Sequence, residues 1–206
     1  MNTAPASGTT SAGHGPRYSA LAIAFHWTIA VLVLGLIASG WWMTGAIRDP
    51  QRQAVAYDVY QLHKAFGLCV LLLTLARLGW RLGHRPPPLP AHMRPIERFG
   101  AHAAHVALYA LTLAVPLLGW AMVSASPLGL PTVPFGLFEW PHLPVLGPQD
   151  DPASVEAGFK LGHEVLAYSA AALVVLHVAA ALKHHFVDHD GLLGRMLPFG
   201  GGAASS

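Results

Sequence analysis

The sequence predicts an all-α membrane protein built as a bundle of four transmembrane helices. Hydrophobic residues make up 53% of the 206 residues and charged residues only 11%, whereas a soluble domain averages about 25% charged residues. The apolar residues gather into four segments, each reaching the roughly 20 residues that cross a bilayer. Histidine is also frequent, with thirteen residues against ten acidic ones. In so apolar a chain, this bias indicates metal or proton chemistry.

The four predicted spans follow one another within a single membrane domain, residues 17–198. The first is longer than the apolar part of a signal peptide and lacks a basic start, so we expect it to be retained. In order, the spans cover residues of about 21–46, 60–82, 99–123 and 161–186.

The segments outside the spans are small, polar or rich in proline. Residues 1–16 predict a disordered tail, and residues 199–206 a flexible one. The connection 86–98 holds too many prolines for a long helix. The connection 124–160 is expected to form a lid over the helix ends. Cys69 is the one cysteine; it excludes an internal disulfide and predicts a small apolar packing residue.

Lysine and arginine are distributed unevenly between the two sides of the predicted bundle. One side carries eight: Arg17, Arg77, Arg81, Arg85, Arg94, Arg98, Lys183 and Arg195. The other carries four: Arg48, Arg52, Lys64 and Lys160. Because positive residues concentrate on the cytoplasmic side, both termini are predicted to be cytoplasmic. The charge pattern does not suggest a nucleic-acid partner.

Two histidines of the fourth span, His163 and His177, lie fourteen residues apart. In a helix this spacing covers about 21 Å and nearly four whole turns, so both rings share one face. The predicted topology then places the other histidines at two depths. His63 joins His163 in an outer layer, whereas the inner layer contains His177 together with His26, His102 and His105.

Facing imidazoles from two helices are what bis-histidine haem ligation requires. A helix that contributes one histidine to each layer therefore predicts two haems stacked across the membrane. The CxxCH attachment motif is absent, so such haems would be bound non-covalently. A histidine near a helix end can instead bind headgroups or carbonyls at the interface, and this alternative suits His102 and His105.

Three further pairs of residues are candidates for binding roles. Arg77 and Arg81 lie at inner depth, where haem propionates or interfacial anchoring would account for them. His184 follows His177 by two turns, and with His185 it could donate protons to a quinone or end the helix. On the outer side, Lys64 and Lys160 could attract an anionic electron donor, or anchor at the interface.

Several motifs together resemble the bacterial cytochrome b561 family, in particular its short four-helix branch that includes superoxide oxidases. They are "FHW", "HKAFGLCVLLLTLARLGWRL", "AHAAHVALYALTLAVPLLGW", "LGHE", "LHVAAALKHH" and "LLGRMLP". The similarity covers about residues 17–198. The chain departs from the family in its outer loop, which is longer, acidic and richer in proline.

The resemblance implies a multi-pass protein of the bacterial inner membrane with two haem b groups. It assigns His26 and His177 to the inner iron and His63 and His163 to the outer one, leaving His102 and His105 as non-ligands. It further implies electron transfer from a periplasmic donor, superoxide being oxidised to dioxygen, to ubiquinone near His184 or His185.

Two other functions remain open at this point. A haem-bearing membrane anchor could relay electrons between a partner dehydrogenase or periplasmic cytochrome and the quinone pool, with the long outer loop as docking surface. A metal-ion transporter could use the histidine pairs, although the carboxylates expected inside such a membrane protein are missing; only Glu164 comes close, at an interface.

Overall fold

The structure, a computed structural model, describes residues 17–90, 93–146 and 150–198. Four α-helices form it: α1 (Ala20–Ala46), α2 (Gln53–Gly83), α3 (Pro95–Ala125) and α4 (Pro152–Phe186). Each is long and apolar enough to cross a membrane, with mean hydropathies of 2.3, 1.6, 2.0 and 2.2. The prediction of an all-α, four-helix membrane protein is therefore confirmed. The predicted tails, 1–16 and 199–206, lie outside the described residues.

Local sequence signals account for the helix starts. Ser19 caps α1, since its Oγ accepts a hydrogen bond from the backbone N–H of Ala22 at 3.3 Å. Proline occupies the first turn of α3 and of α4, where its missing N–H costs nothing. Asp151 caps α4 through a 3.2 Å hydrogen bond from the backbone N–H of Ser154.

Three helices extend several residues beyond the starts of the predicted spans. Helix α2 starts at Gln53, α3 at Pro95 and α4 at Pro152, whereas the predicted spans start at 60, 99 and 161. The outer loop is correspondingly shorter than the expected 124–160 and covers residues 126–151. Hydropathy underestimates these helices because charged residues are mixed with the apolar ones in their first turns and lower the local mean.

Replacing Asp151 with alanine is expected to fray the first turn of α4. Its hydrogen bonds with Ser154 hold the pKa of the Asp151 carboxyl below its ordinary value of 3.8. The cap therefore stabilises the helix fully above that pKa, and the effect is lost as pH falls through the lowered value. Hydrogen exchange at the Ser154 amide should become several-fold faster in the variant. Asp150→Ala is the control; equal rates in both variants would contradict the cap.

The helices pack in chain order, α1 against α2, α2 against α3 and α3 against α4. Successive helices are therefore antiparallel neighbours, as short connections in a bundle produce. Large apolar side chains on every helix are exposed outward, among them Leu34, Leu72, Val106 and Val175. Such a surface suits lipid and not water.

We call the end of the bundle that carries residues 17 and 198 the inner end and the opposite one the outer end. At the outer end, the 126–151 loop covers α2 and α3. The Trp120 indole N–H donates to the Pro141 carbonyl at 2.9 Å, and the Phe66 and Phe135 rings meet edge-on at 5.2 Å. The described part of the loop thus contacts both helices at this end.

At the inner end, the C-terminal segment ties the helix ends together. The Trp27 indole N–H donates to the Met196 carbonyl at 2.8 Å. The guanidinium of Arg195 donates to the Pro88 carbonyl at 2.9 Å, which connects this segment to the proline-rich α2–α3 connection.

Candidate functional site

Two histidines from different helices face each other near the outer end. His63 on α2 and His163 on α4 are both half-buried, and their ring centroids lie 6.3 Å apart. Their helices are not consecutive in the chain, so only the folded bundle brings the two rings together. The two histidines that the sequence placed in an outer layer therefore lie next to each other in the structure.

Hydrogen bonds orient both rings of this outer pair through the same nitrogen. His163 Nδ1 lies 2.9 Å from the Val115 carbonyl oxygen, to which its N–H donates. His63 Nδ1 lies 3.0 Å from Ser39 Oγ. Because the Ser39 hydroxyl itself donates to the Leu36 carbonyl, its oxygen accepts from the imidazole. Both rings thus carry their proton on Nδ1, which leaves Nε2 free to bind a metal.

Each outer ring also lies against a glycine of the neighbouring helix. A Cβ at Gly119 on α3 would come within 3.2 Å of the His163 ring, and one at Gly40 on α1 within 3.4 Å of the His63 ring. The first distance is tighter than ordinary van der Waals contact. Glycine at these positions therefore lets each imidazole lie directly against the helix beside its own.

The separation of the rings fits a metal held between them. An imidazole nitrogen binds a metal ion at about 2 Å, so two rings on opposite sides of one ion have centres roughly 6 Å apart. The outer pair, at 6.3 Å, matches this spacing. With both Nε2 atoms free, the donor set is that of bis-histidine haem ligation.

Three histidines meet near the inner end. The His177 ring on α4 lies 6.2 Å from that of His26 on α1 and 5.7 Å from that of His105 on α3, between centroids. His26 and His105 are thus both neighbours of His177. His102 behaves differently: it is exposed, and its Nδ1 lies 2.8 Å from the Arg98 carbonyl of its own helix.

The two predicted propionate-binding residues lie side by side at the inner end. The guanidinium carbon of Arg77 lies 5.2 Å, and that of Arg81 5.7 Å, from the centroid of the Tyr109 ring. Among the described residues, neither arginine pairs with a carboxylate. Both cationic groups therefore remain available to an anion.

His184 and His185, the predicted quinone residues, point into different surroundings. His185 is exposed, with its ring 4.6 Å from that of Phe186. His184 Nδ1 lies 2.9 Å from Asp188 and 2.7 Å from Asp190, measured to a carboxylate oxygen of each. Neither contact has the angle of a hydrogen bond. His184 lines a cavity of about 290 Å³ with Lys183, Glu97 and both aspartates, whereas His185 lies outside it.

The two outer lysines also differ. Lys64 is half-buried, and its Nζ donates to the Pro131 carbonyl at 2.9 Å, which fastens the outer loop to α2. Lys160 on α4 is exposed. Of the two, only Lys160 presents its charge on the surface.

Several residues that shape the site were not predicted from the sequence. They are Ser39, Gly40, Gly119 and the backbone carbonyl of Val115. Ser39 is a polar residue in an apolar span, and this was the only available signal. Ser39 and His63 lie 24 positions apart on different helices, so no helical periodicity relates them.

Membrane-spanning helices that hold histidine rings in facing sets at two depths define a class: haem-binding membrane proteins of electron transfer. Within this class, the chain belongs to the prokaryotic cytochrome b561 family, whose model matches residues 17–199. Members of this family are membrane electron-transfer proteins that bind haem b. Together with the four spans, this identifies a multi-pass protein of the bacterial inner membrane.

Several relatives match this chain over nearly their whole length. The chain is 37% identical over 183 residues to cytochrome b561 homolog 2 of Escherichia coli K12, covering 88% of this chain and 91% of the relative. It is 33% identical over 185 residues to cytochrome b562 of Cereibacter sphaeroides, covering 88% and 96%. It is 29% identical over 188 residues to the probable superoxide oxidase CybB of Yersinia pestis, covering 88% and 96%.

Proposed function

We propose that the protein is a di-haem b oxidoreductase that passes electrons from a periplasmic donor, superoxide, to ubiquinone near the cytoplasmic face. The observation that carries the proposal is the arrangement of histidines at two depths, with α4 contributing one ring to each layer. Both termini are then cytoplasmic, in agreement with the eight cationic residues of the inner end against four on the outer one.

His63 with His163 would hold the outer haem, and His26 with His177 the inner one. Haem b held by two imidazoles would supply reversible one-electron chemistry, at a potential that the ligands and their surroundings tune. The chain holds the rings: Ser39 and the Val115 carbonyl orient His63 and His163. For the inner haem, the 6.2 Å between His26 and His177 supports this pair over His105.

Arg77 and Arg81 are proposed to bind the propionates of the inner haem. Both lie at the inner end on α2, and Tyr109 fixes their guanidinium groups from one side. Their charge is not neutralised by a carboxylate among the described residues. Guanidinium groups bind carboxylates with two parallel hydrogen bonds, so two arginines suit two propionates.

The quinone headgroup is proposed to bind beside His184, in the inner cavity of about 290 Å³. His184 lies seven residues, or nearly two turns, beyond His177 on the same face of α4. Its Nδ1 faces two carboxylates, and Nε2 is therefore the nitrogen left to contact a quinone carbonyl. Histidine can hold and pass a proton at this position. The exposed His185 is assigned a lesser role at the rim.

On the donor side, the proposal depends on similarity and on one exposed charge. A relative at 29% identity is named a probable superoxide oxidase, which supports superoxide as donor. Lys160 is exposed and precedes His163 by three residues on α4, and a positive charge there raises the encounter rate with a small anion. Lys64 contributes less, because it fastens the loop.

The test is a reduced-minus-oxidised visible spectrum of the purified protein with haem quantified per chain. We expect two haem b per chain, reduced by a superoxide source and reoxidised by added ubiquinone. Two haems that superoxide leaves oxidised would exclude this donor, and a chain without haem would overturn the whole proposal. Superoxide dismutase added before the reaction is the control, since it should abolish the reduction.

One observation favours a second function, that of a membrane anchor relaying electrons for a partner dehydrogenase or periplasmic cytochrome. The outer loop exposes large apolar side chains, with Leu128 73% and Leu137 76% accessible. Exposed apolar patches mark docking surfaces. Copurification of a redox partner, together with no superoxide turnover by the isolated protein, would favour this alternative.

A further inference from the structure

A cationic cavity of about 570 Å³ opens at the inner end, between the start of α1, the end of α2 and the connection that follows. Four arginines line it, Arg17, Arg77, Arg81 and Arg85, together with Tyr18, Trp80, His84, Tyr109 and Pro86–Pro88. No carboxylate is among the lining residues. We call this the arginine cavity.

The four guanidinium groups have no anionic partner in the described part of the chain. The ion pairs found there involve other residues. Arg17 donates to the Leu197 carbonyl at 2.8 Å, and a neutral acceptor does not cancel its charge. Four like charges around one cavity repel each other, and the more so where lipid lowers the dielectric constant. Such a cavity attracts an anion.

A neutral donor of the same cavity also lacks a partner. The Trp80 indole N–H is buried, and no residue that the structure describes accepts its hydrogen bond. A buried donor without acceptor costs free energy, and indole N–H groups usually find a partner. The Trp80 ring is held in place, stacked on His84 at 3.5 Å between centroids and 9° between planes. An oxygen-bearing ligand that reached the indole N–H from the cavity would satisfy this donor.

The number of arginines indicates how many negative charges the cavity can bind. This step rests on the proposed function, in which two propionates pair with Arg77 and Arg81. Four guanidinium groups less two carboxylates leave two positive charges, those of Arg17 and Arg85. Both are exposed at the rim, where the cavity reaches the ends of α1 and α2. These two groups therefore remain available to a second anion.

We propose that the arginine cavity binds a phosphate group at Arg17 and Arg85, and that an anionic phospholipid of the adjacent leaflet supplies it. Guanidinium groups match phosphate oxygens with paired hydrogen bonds. The cavity lies at the helix ends, where lipid headgroups are located, and basic pockets between transmembrane helices bind such headgroups. Trp80 and the three prolines give the ligand's glycerol region an apolar wall.

The experiment uses the full-length, haem-loaded protein, delipidated in a mild detergent. Native mass spectrometry measures binding of phosphatidylglycerol and of phosphatidylcholine with identical acyl chains. The double variant R17Q/R85Q removes the two unassigned charges, and W80F removes the indole donor while keeping an aromatic ring. R48Q/R52Q removes two arginines from the outer end as the matched control. Visible spectra record the haem content of every variant.

We expect the wild type to bind phosphatidylglycerol at least about tenfold more tightly than phosphatidylcholine, given the worth of each cationic residue near a charged headgroup. R17Q/R85Q should lose most of this preference, W80F should reduce it, and R48Q/R52Q should keep it, all with unchanged haem content. A wild type without the preference, or a double variant that keeps it, would overturn the proposal.

Two further outcomes separate the possible ligands. If the protein binds inorganic phosphate in a manner sensitive to R17Q/R85Q but shows no preference for phosphatidylglycerol, a soluble phosphate compound is the ligand and the lipid assignment is wrong. If R17Q/R85Q loses haem while its lipid preference persists, these arginines hold propionates and the proposal fails. A chain that binds no haem but keeps an R17Q/R85Q-sensitive lipid preference would support the phosphate site while overturning the proposed function.

Discussion

Replacing His63 or His163 with alanine is expected to halve the haem content of the purified protein, from two haems per chain to one. The two rings face each other with centroids 6.3 Å apart, and each is oriented through Nδ1 by a residue of a neighbouring helix. An alanine at either position removes one of the two proposed ligands. Among the described residues, no third histidine ring is paired with His63 or His163 that could replace it. The haemochrome spectrum in alkaline pyridine measures the content directly.

The matched control for this prediction is His142→Ala, which removes an exposed histidine of the outer loop. It should keep both haems, because His142 takes no part in the outer pair. Full haem content in His63→Ala and His163→Ala would exclude the outer pair as ligands. Loss of both haems together with aggregation would point to misfolding, and thermal unfolding of the variant in detergent distinguishes this case.

His26→Ala is expected to remove the inner haem, whereas His105→Ala should retain it. Both rings neighbour His177, at 6.2 Å and 5.7 Å between centroids. The longer distance agrees with the outer pair, and it accommodates an ion with a nitrogen about 2 Å away on each side. The shorter distance places the His105 and His177 rings closer together than the two rings of the outer pair. The difference should appear as one haem per chain against two.

His102→Ala serves as the control for the inner layer, because that ring is exposed and bonded to its own helix. The prediction fails if His26→Ala keeps two haems, or if His105→Ala loses one. In the second case His105 and His177 would be the inner ligands, and His26 would be a neighbour. The potential of the remaining haem, measured by redox titration, should stay near its wild-type value in a variant that loses only the inner one.

The sequence predicted those features that depend on neighbouring residues in one chain segment. Hydropathy along a stretch of about 20 residues is enough to recognise a span, so all four helices were found. The helical rise relates His163 to His177 without reference to any other helix. The same local information missed the first turns of α2, α3 and α4, because charged residues among their apolar ones lower the mean hydropathy there.

The motifs that resemble the cytochrome b561 family predicted more about the site than helical periodicity did. They assigned the ligands by similarity, where the depths alone left His26, His102 and His105 open as partners of His177. The structure separates His102 from the other two, since its ring bonds back to Arg98. That contact lies within one helix turn, yet whether the ring turns inward or outward depends on how α3 is rotated in the bundle.

By itself, the sequence determined that this protein is a four-helix membrane bundle with histidines at two depths, because hydropathy and helix periodicity are local properties. Only the tertiary structure decided that His63 faces His163, that Ser39 and the Val115 carbonyl accept hydrogen bonds from Nδ1 of the two rings, and that Gly119 lets a ring lie close. It also gathered four arginines around one cavity. These features depend on the rotation and spacing of helices that are distant in the chain, which no local pattern specifies.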